Sequence, residues 1–159
     1  MSFRVGTGFD VHRFADDRAL VLGGVEIPAK RGLDGVSDAD VVLHTICDAI
    51  LGALGKGDIG DLYPPDLPAN KGIKSKVILD SVLYSMREAG YAIGNIDVTI
   101  ILEEVRLKKY KPDIVKRLSQ LLGLKESQVG FKIKSQEKLV EAEKSCAMCF
   151  ATVLLEKKQ

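Results

Sequence analysis

The chain has 159 residues and a mass of 17.3 kDa, the size of one domain, so a single domain over 1–159 is expected. Its hydrophobic fraction of 46% and charged fraction of 28% exclude disordered, collagen-like and coiled-coil chains. Lys plus Arg number 23 and Asp plus Glu 22, a formal charge of +1, without the basic bias of a nucleic-acid or membrane-surface binder.

Phe3 to Asp10 reads as a strand in which Gly6 and Gly8 mark a close backbone approach. Ala19 to Pro28 reads as a second extended segment, with Gly23-Gly24 as a bulge or tight turn, and Lys30 to Gly35 as a loop. Ser37 is the expected N-cap of the first long helix, with Asp38 and Asp40 in its acidic first turn. Val42, Ile46, Ala49, Ile50, Ala53 and Leu54 form its apolar stripe, and Gly55 and Gly57 end it. Lys56 to Gly72, rich in Gly, Pro and Asp, lacks periodicity and is long for a loop in a compact domain, a length usual for functional or mobile loops. A helix from about Ile73 to Ala89, a strand from Ile96 to Glu103, a helix starting near Pro112 and stopping at Gly123, and a strand from Val129 to Lys134 follow. Cys146 to Leu155 is almost continuously apolar, the pattern of a strand buried on both faces. The order β-β-α-α-β-α-β-β predicts an α/β (α+β) domain: one small mixed sheet covered by helices on one side.

No apolar run approaches the roughly 18 residues of a membrane span. The first residues lack the apolar stretch of a secretory signal, and nothing there reads as the transit peptide a plastid protein would need. The three cysteines, Cys47, Cys146 and Cys149, are odd in number and apolar in context. A cytoplasmic protein with reduced thiols is expected.

The chain has only two histidines. In Asp10-Val11-His12, alternate strand positions point Asp10 and His12 to the same side, and His44 lies about two turns into the long helix. Two imidazoles and a carboxylate form a zinc ligand set with one position open; surface or capping histidines are the alternative. Asp48, one turn after His44, is placed to orient its imidazole. Asp40 reads as a supporting acid, or with Asp38 as helix-start electrostatics. Asp58-Ile59-Gly60-Asp61 is either a solvated turn or a ribose or phosphate site. Ser135, after a strand, can hold phosphate oxygens, and Glu137 can hold Mg²⁺ beside them, unless the segment is simply a charged turn. The basic run Arg106 to Lys111 is a solvated face or a phosphate contact.

Gly8-Phe9-Asp10-Val11-His12, Ser37-Asp38-Ala39-Asp40-Val41, Leu43-His44, Asp48 to Ala53, Gly57-Asp58-Ile59-Gly60, Gly94 to Thr99 and Glu137-Lys138-Leu139 together resemble the 2-C-methyl-D-erythritol 2,4-cyclodiphosphate synthases of the non-mevalonate isoprenoid pathway. The resemblance spans about residue 3 to residue 156. It implies a homotrimer with sites between subunits that converts 4-diphosphocytidyl-2-C-methyl-D-erythritol 2-phosphate into the cyclic diphosphate and CMP, a phosphorus–oxygen lyase reaction. By motif, Asp10, His12 and His44 look like the ligands of one Zn²⁺ per chain. Glu137 resembles the residue that holds Mg²⁺ or Mn²⁺ on the diphosphate, and Ser135 stands where the family has a phosphate-contacting threonine. Ser37 resembles the substrate-phosphate contact, and Asp58 and Gly60 the ribose contacts. Leu102 to Lys108, with Leu102, Val105, Arg106 and Leu107, resembles the wall of the cytosine pocket.

Three segments depart from the family. Val36 stands where a histidine is usual; an apolar residue there is expected to staple onto Val41 across the helix start. Tyr63-Pro64-Pro65-Asp66 replaces an aromatic-Pro-Asp run, so Asp66 is the candidate loop acid shifted by one. Val140 to Ser145 replaces a Gly- and Arg-containing stretch. Two rival readings stand beside the synthase: a zinc phosphoesterase that delivers water, for which Asp40 and Asp48 are the candidate bases, and a weakly active scaffold on the same fold.

Overall fold

The computed structural model describes residues 2–137 and 145–158. Its backbone is a five-stranded sheet in the order β4-β1-β7-β5-β6. The strands are β1 (Phe3–Ala15), β4 (Gly32–Leu33), β5 (Tyr91–Ile101), β6 (Val129–Lys134) and β7 (Cys146–Lys157). The β5–β6 pair is parallel and the others antiparallel, so the sheet is mixed, as expected. A separate hairpin pairs β2 (Leu20–Leu22) with β3 (Val25–Ile27). Helices α1 (Val41–Leu54), α3 (Ser75–Glu88) and α4 (Lys111–Leu122) cover one face, and α2 (Ile59–Leu62) is a single turn.

Several boundaries differ from the sequence reading. The first strand continues past Asp10 to Ala15 because every residue from Phe3 to Arg13 pairs with β7. The segment 19–28 is two strands around a tight turn in which Gly23 and Gly24 take φ of 62° and 75°. Part of the loop 30–35 pairs with β1 as β4, and the long loop holds α2 and a short 3₁₀ turn over Pro68–Asn70. The last strand is not buried on both faces: Phe150 is 47% exposed, while Cys149 and Ala151 point into the core. All three cysteines are free and buried, and burial pushes the Cys149 thiol up to about 12.

Two glycines determine how closely helix and sheet meet. A Cβ on Gly8 would lie 2.1 Å from the carbonyl oxygen of Thr45, and one on Gly6 would lie 1.9 Å from that of Ala49. Helix α1 therefore rests directly on the backbone of β1, the close approach that Gly6 and Gly8 suggest. That contact carries His44, next to Thr45, down to the strand that bears Asp10 and His12. Among the described residues, the opposite sheet face has no helix on it. Phe3, Val5, Phe9, Val11 and Phe150 are exposed there, and the Phe9 and Phe150 rings stand 4.7 Å apart.

Candidate metal centre

The turn before α1 does more than the sequence suggests. Its N-cap is Asp40, not Ser37: the Asp40 carboxylate accepts from the backbone N–H groups of Val42 and Leu43. The same carboxylate accepts from Gly23 and Gly24 N–H at 2.8 and 2.6 Å, so it also clamps the β2–β3 turn. Complete burial pushes its carboxyl up to about 6, against the pull of those N–H donors and of His44. With the cap at Asp40, His44 is the fourth helical residue, one turn in rather than two. The expected Val36–Val41 staple is not formed, since Val41 is wholly buried under the helix start while Val36 is 41% exposed. Ser37 instead accepts from Ala39 N–H, and Asp38 reaches the first residue of α3, Ser75. Between them Ala39, wholly buried, holds φ at 55°, a left-handed conformation rare outside glycine. It splays Ser37, Asp38 and Asp40 toward three different partners.

Asp10, His12 and His44 meet at the floor of a cleft of about 320 Å³. His12 Nε2 lies 3.0 Å and His44 Nδ1 3.1 Å from Asp10 Oδ2, and the two nitrogens are 3.3 Å apart. His12 Nδ1 donates to the Asp34 carbonyl at 2.5 Å, which turns Nε2 toward Asp10. Asp10 Oδ1 accepts from Val11 N–H, leaving Oδ2 for the imidazoles. Burial alone would raise the Asp10 carboxyl, but hydrogen bonds and charge from both histidines hold it well below the usual carboxylate range. His12 is likewise shifted up despite burial, by Asp10 and by the Asp34 carbonyl. Two nitrogens and one oxygen, all within 4.8 Å of one another and open toward the cleft, form a group that can hold a metal ion. The donor set fits zinc, which takes imidazole and carboxylate ligands and leaves a fourth position open.

The remaining predicted residues fall into three places. Ser37 and Gly60 line the metal cleft beside Val36, Ile59, Tyr63 and Pro65. Asp58 does not line it; its carboxylate caps α2, the turn that bears Ile59 and Gly60, through the Asp61 N–H. Asp66 lines an adjoining cavity with Arg18, Val36, Ser37 and Lys71. Leu102, Val105, Arg106, Leu107 and Ser135 line a separate cleft of about 510 Å³ beyond the ends of β5 and β6, and Ser135 donates to Glu137 at its edge. The strands β1 and β6 are three places apart in the sheet, about 14 Å, so the two clefts are separate on one chain.

Asp48 does not orient His44. Its Oδ1 accepts from Ile59 N–H at 2.9 Å and pins α2 to α1, and burial shifts its carboxyl upward. The partners of the outer His44 nitrogen are Ser75 Oγ at 2.8 Å and Ser37 Oγ at 3.2 Å. Sequence reasoning missed Ser75, which no motif marks and which arrives from a helix 31 residues on. Lys138 to Lys144, including most of the Glu-Lys-Leu motif and its departure, lie outside the described residues.

A helix-backed mixed sheet whose cleft gathers two histidines and one aspartate able to hold a metal ion defines a small α+β domain with a candidate metal centre. The particular family follows from comparison: the chain matches the YgbB family over residues 3–156 and belongs to it. It is 45% identical over 156 residues to the 2-C-methyl-D-erythritol 2,4-cyclodiphosphate synthase of Nostoc sp., covering 98% of this chain and 94% of that one. The Bacillus cereus enzyme of the same name is 45% identical over 157 residues, covering 98% of this chain and 99% of its own. Among solved structures, a synthase of that name complexed with CDP superposes with a TM-score of 0.88 at 32% identity, over 96% of this chain and 100% of the other.

Proposed function

We propose that this chain converts 4-diphosphocytidyl-2-C-methyl-D-erythritol 2-phosphate into 2-C-methyl-D-erythritol 2,4-cyclodiphosphate and CMP. An oxygen of the 2-phosphate attacks the β-phosphorus, and the bond from that phosphorus to the CMP oxygen breaks. The observation that carries this reading, beyond family membership, is the lining of the metal cleft. Among the described residues lining it, the only carboxylate is Asp10, which is already in the ligand set. A phosphoesterase would need a spare base to take a proton from water. The two candidates, Asp40 and Asp48, are both engaged by backbone N–H groups. A 2-phosphate enters as an anion and needs no base.

When bound, Zn²⁺ at Asp10, His12 and His44 supplies Lewis acidity at the β-phosphate, and Mg²⁺ or Mn²⁺ at Glu137 offsets charge on the diphosphate. The chain's own groups bind and orient. Ser37 meets substrate phosphate at the cleft wall, Asp58 and Gly60 take the ribose hydroxyls, and Asp66 contacts the substrate from the adjoining cavity. Leu102, Val105, Arg106 and Leu107 wall the cytosine, and Ser135 donates to phosphate. Holding both ends of a flexible substrate together is an entropy trap, worth up to several kcal/mol.

We further propose a homotrimer that joins the metal cleft of one subunit to the second cleft of its neighbour. The exposed row Phe3, Val5, Phe9, Val11 and Phe150 supports it, because a contiguous apolar face of this kind marks an interface. Three buried unpaired thiols suit a reducing, cytoplasmic setting.

The activity is tested with purified substrate by CMP release and phosphorus NMR. A cyclic diphosphate is expected; separate 2- and 4-phosphates on the sugar would make water the acceptor and overturn the reading. The assembly is tested by sedimentation of Phe9→Glu. Dissociated subunits that keep their metal but lose turnover are expected, and an active monomer would refute the shared site.

A further inference from the structure

The metal reading leaves one question of geometry open: what turns His44 so that Nδ1, rather than Nε2, faces Asp10 and His12. The answer lies outside the motifs. Ser75 is wholly buried, and its Oγ lies 2.8 Å from His44 Nε2. Both its N–H, at 3.0 Å, and its hydroxyl donate to the same oxygen of Asp38. A serine hydroxyl has a single proton. Once that proton is given to the Asp38 carboxylate, which can only accept, Ser75 Oγ has only lone pairs to offer the imidazole. His44 must then donate Nε2–H to Ser75, and the Nδ1 lone pair is left facing Asp10 Oδ2 and His12 Nε2.

We propose that Asp38 and Ser75 are positioning residues for the metal centre: a carboxylate–hydroxyl–imidazole relay that fixes the His44 tautomer and ring orientation. The inference rests on the metal-site reading above. It also sets the role of Ser37: with Nε2–H committed to Ser75 and its own oxygen accepting from Ala39 N–H, the Ser37 hydroxyl keeps its proton for a phosphate oxygen in the cleft. The relay ties three elements together. Asp38 sits on the turn before α1, Ser75 opens α3, and His44 lies in the first turns of α1. Backbone bonds from Asp38 N–H to Ile73 O and from Gly72 N–H to Val36 O hold the two segments side by side. His12 has a comparable outer partner in the Asp34 carbonyl, so both imidazoles are oriented from behind, as metal-bound histidines generally are.

The test compares wild type, Ser75→Ala, Asp38→Asn, Ser75→Thr and Ser37→Ala by Zn²⁺ affinity in chelator competition and by the visible spectrum of the Co²⁺ form. Circular dichroism and melting of the metal-free proteins report the fold. Losing an outer partner of this kind weakens metal binding by about 10–100-fold. Ser75→Ala should lose that much and alter the Co²⁺ spectrum. Asp38→Asn, which keeps shape but not charge, should lose about tenfold, at the low end of that range. Ser75→Thr keeps the hydroxyl and should restore the wild-type spectrum, and Ser37→Ala should leave affinity within a few-fold of wild type. If Ser75→Ala unfolds, Asp38→Asn and Ser75→Thr carry the decision between them. Wild-type affinity and spectrum in both Ser75→Ala and Asp38→Asn would overturn the relay. If wild type itself binds neither Zn²⁺ nor Co²⁺, the metal-site reading fails, a distinct result.

Discussion

The two clefts of the chain are built to different standards. In the metal cleft the Asp10, His12 and His44 side chains are only 24%, 16% and 7% exposed, and each contacts the others and a backbone or hydroxyl partner behind it. In the second cleft Ser135 and Glu137 are exposed and bonded to each other. Of the buried residues beside them, Leu102 and Leu107 are apolar, and Gln136 donates its amide N–H to the Cys146 carbonyl. The first cleft is organised within one subunit by the glycine-enabled contact of α1 on β1. In the proposed trimer the second is completed by a neighbouring subunit. Damage to the first should therefore remove the metal, whereas damage to the second should spare the metal and weaken turnover.

The largest effect is expected for His44→Ala. Zinc content, measured by elemental analysis, should fall from about one equivalent to near zero, and turnover should fall by at least about 10³-fold, as when a Lewis acid is removed. Full zinc retention in both His44→Ala and His12→Ala would refute the ligand assignment. Glu137→Gln sharpens the comparison from the other side. It should lower kcat by about 10–10³-fold, the scale of losing one charge-stabilising contact, with zinc stoichiometry unchanged; zinc loss in this variant would mean that the clefts are not independent.

Acidity separates them too. The metal needs a neutral His12, yet its Asp10 partner shifts His12 above 6.5. Apparent zinc affinity should decline on acidification from above pH 6.5, measurable by competition titration. In metal-free protein the signs differ for the two groups. Asp10, depressed below 3.8, stabilises the fold above that pH and loses the effect as pH falls toward its folded value. His12, raised above 6.5, stabilises below 6.5 and loses the effect as pH rises through its folded value. The melting-temperature advantage of wild type over His12→Gln should thus be greatest between pH 3.8 and 6.5. An advantage that grows toward pH 8 would contradict the pairing.

The smallest effect belongs to Val36→His. Val36 is half exposed at the cleft wall rather than stapled to the helix start, so the new side chain should cost no stability. One added hydrogen bond of about 0.5–1.5 kcal/mol should lower KM by roughly two- to tenfold. An unchanged KM with a lowered melting temperature would show that Val36 packs after all.

Much of this molecule is legible in the chain alone. The strand glycines announce close packing, the apolar stripes place the three long helices, and alternate strand positions put Asp10 and His12 on one side, because these signals are local periodicities. The scarcity of histidine brings His44 into the same set. The start of α1 is not legible in this way, because two acids and a serine share residues 37–40 and their spacing alone does not choose the cap. That choice came from the β2–β3 turn, whose two free N–H groups draw Asp40 inward, and from α3, whose first residue draws Asp38. The same holds for the partner of His44. Asp48 has the right helical spacing but is claimed by Ile59, while Ser75 reaches the imidazole only because α3 packs beside α1. Short-range order follows from residue type and period; which donor finds which acceptor depends on chain segments far apart in sequence, and only their packing decides it.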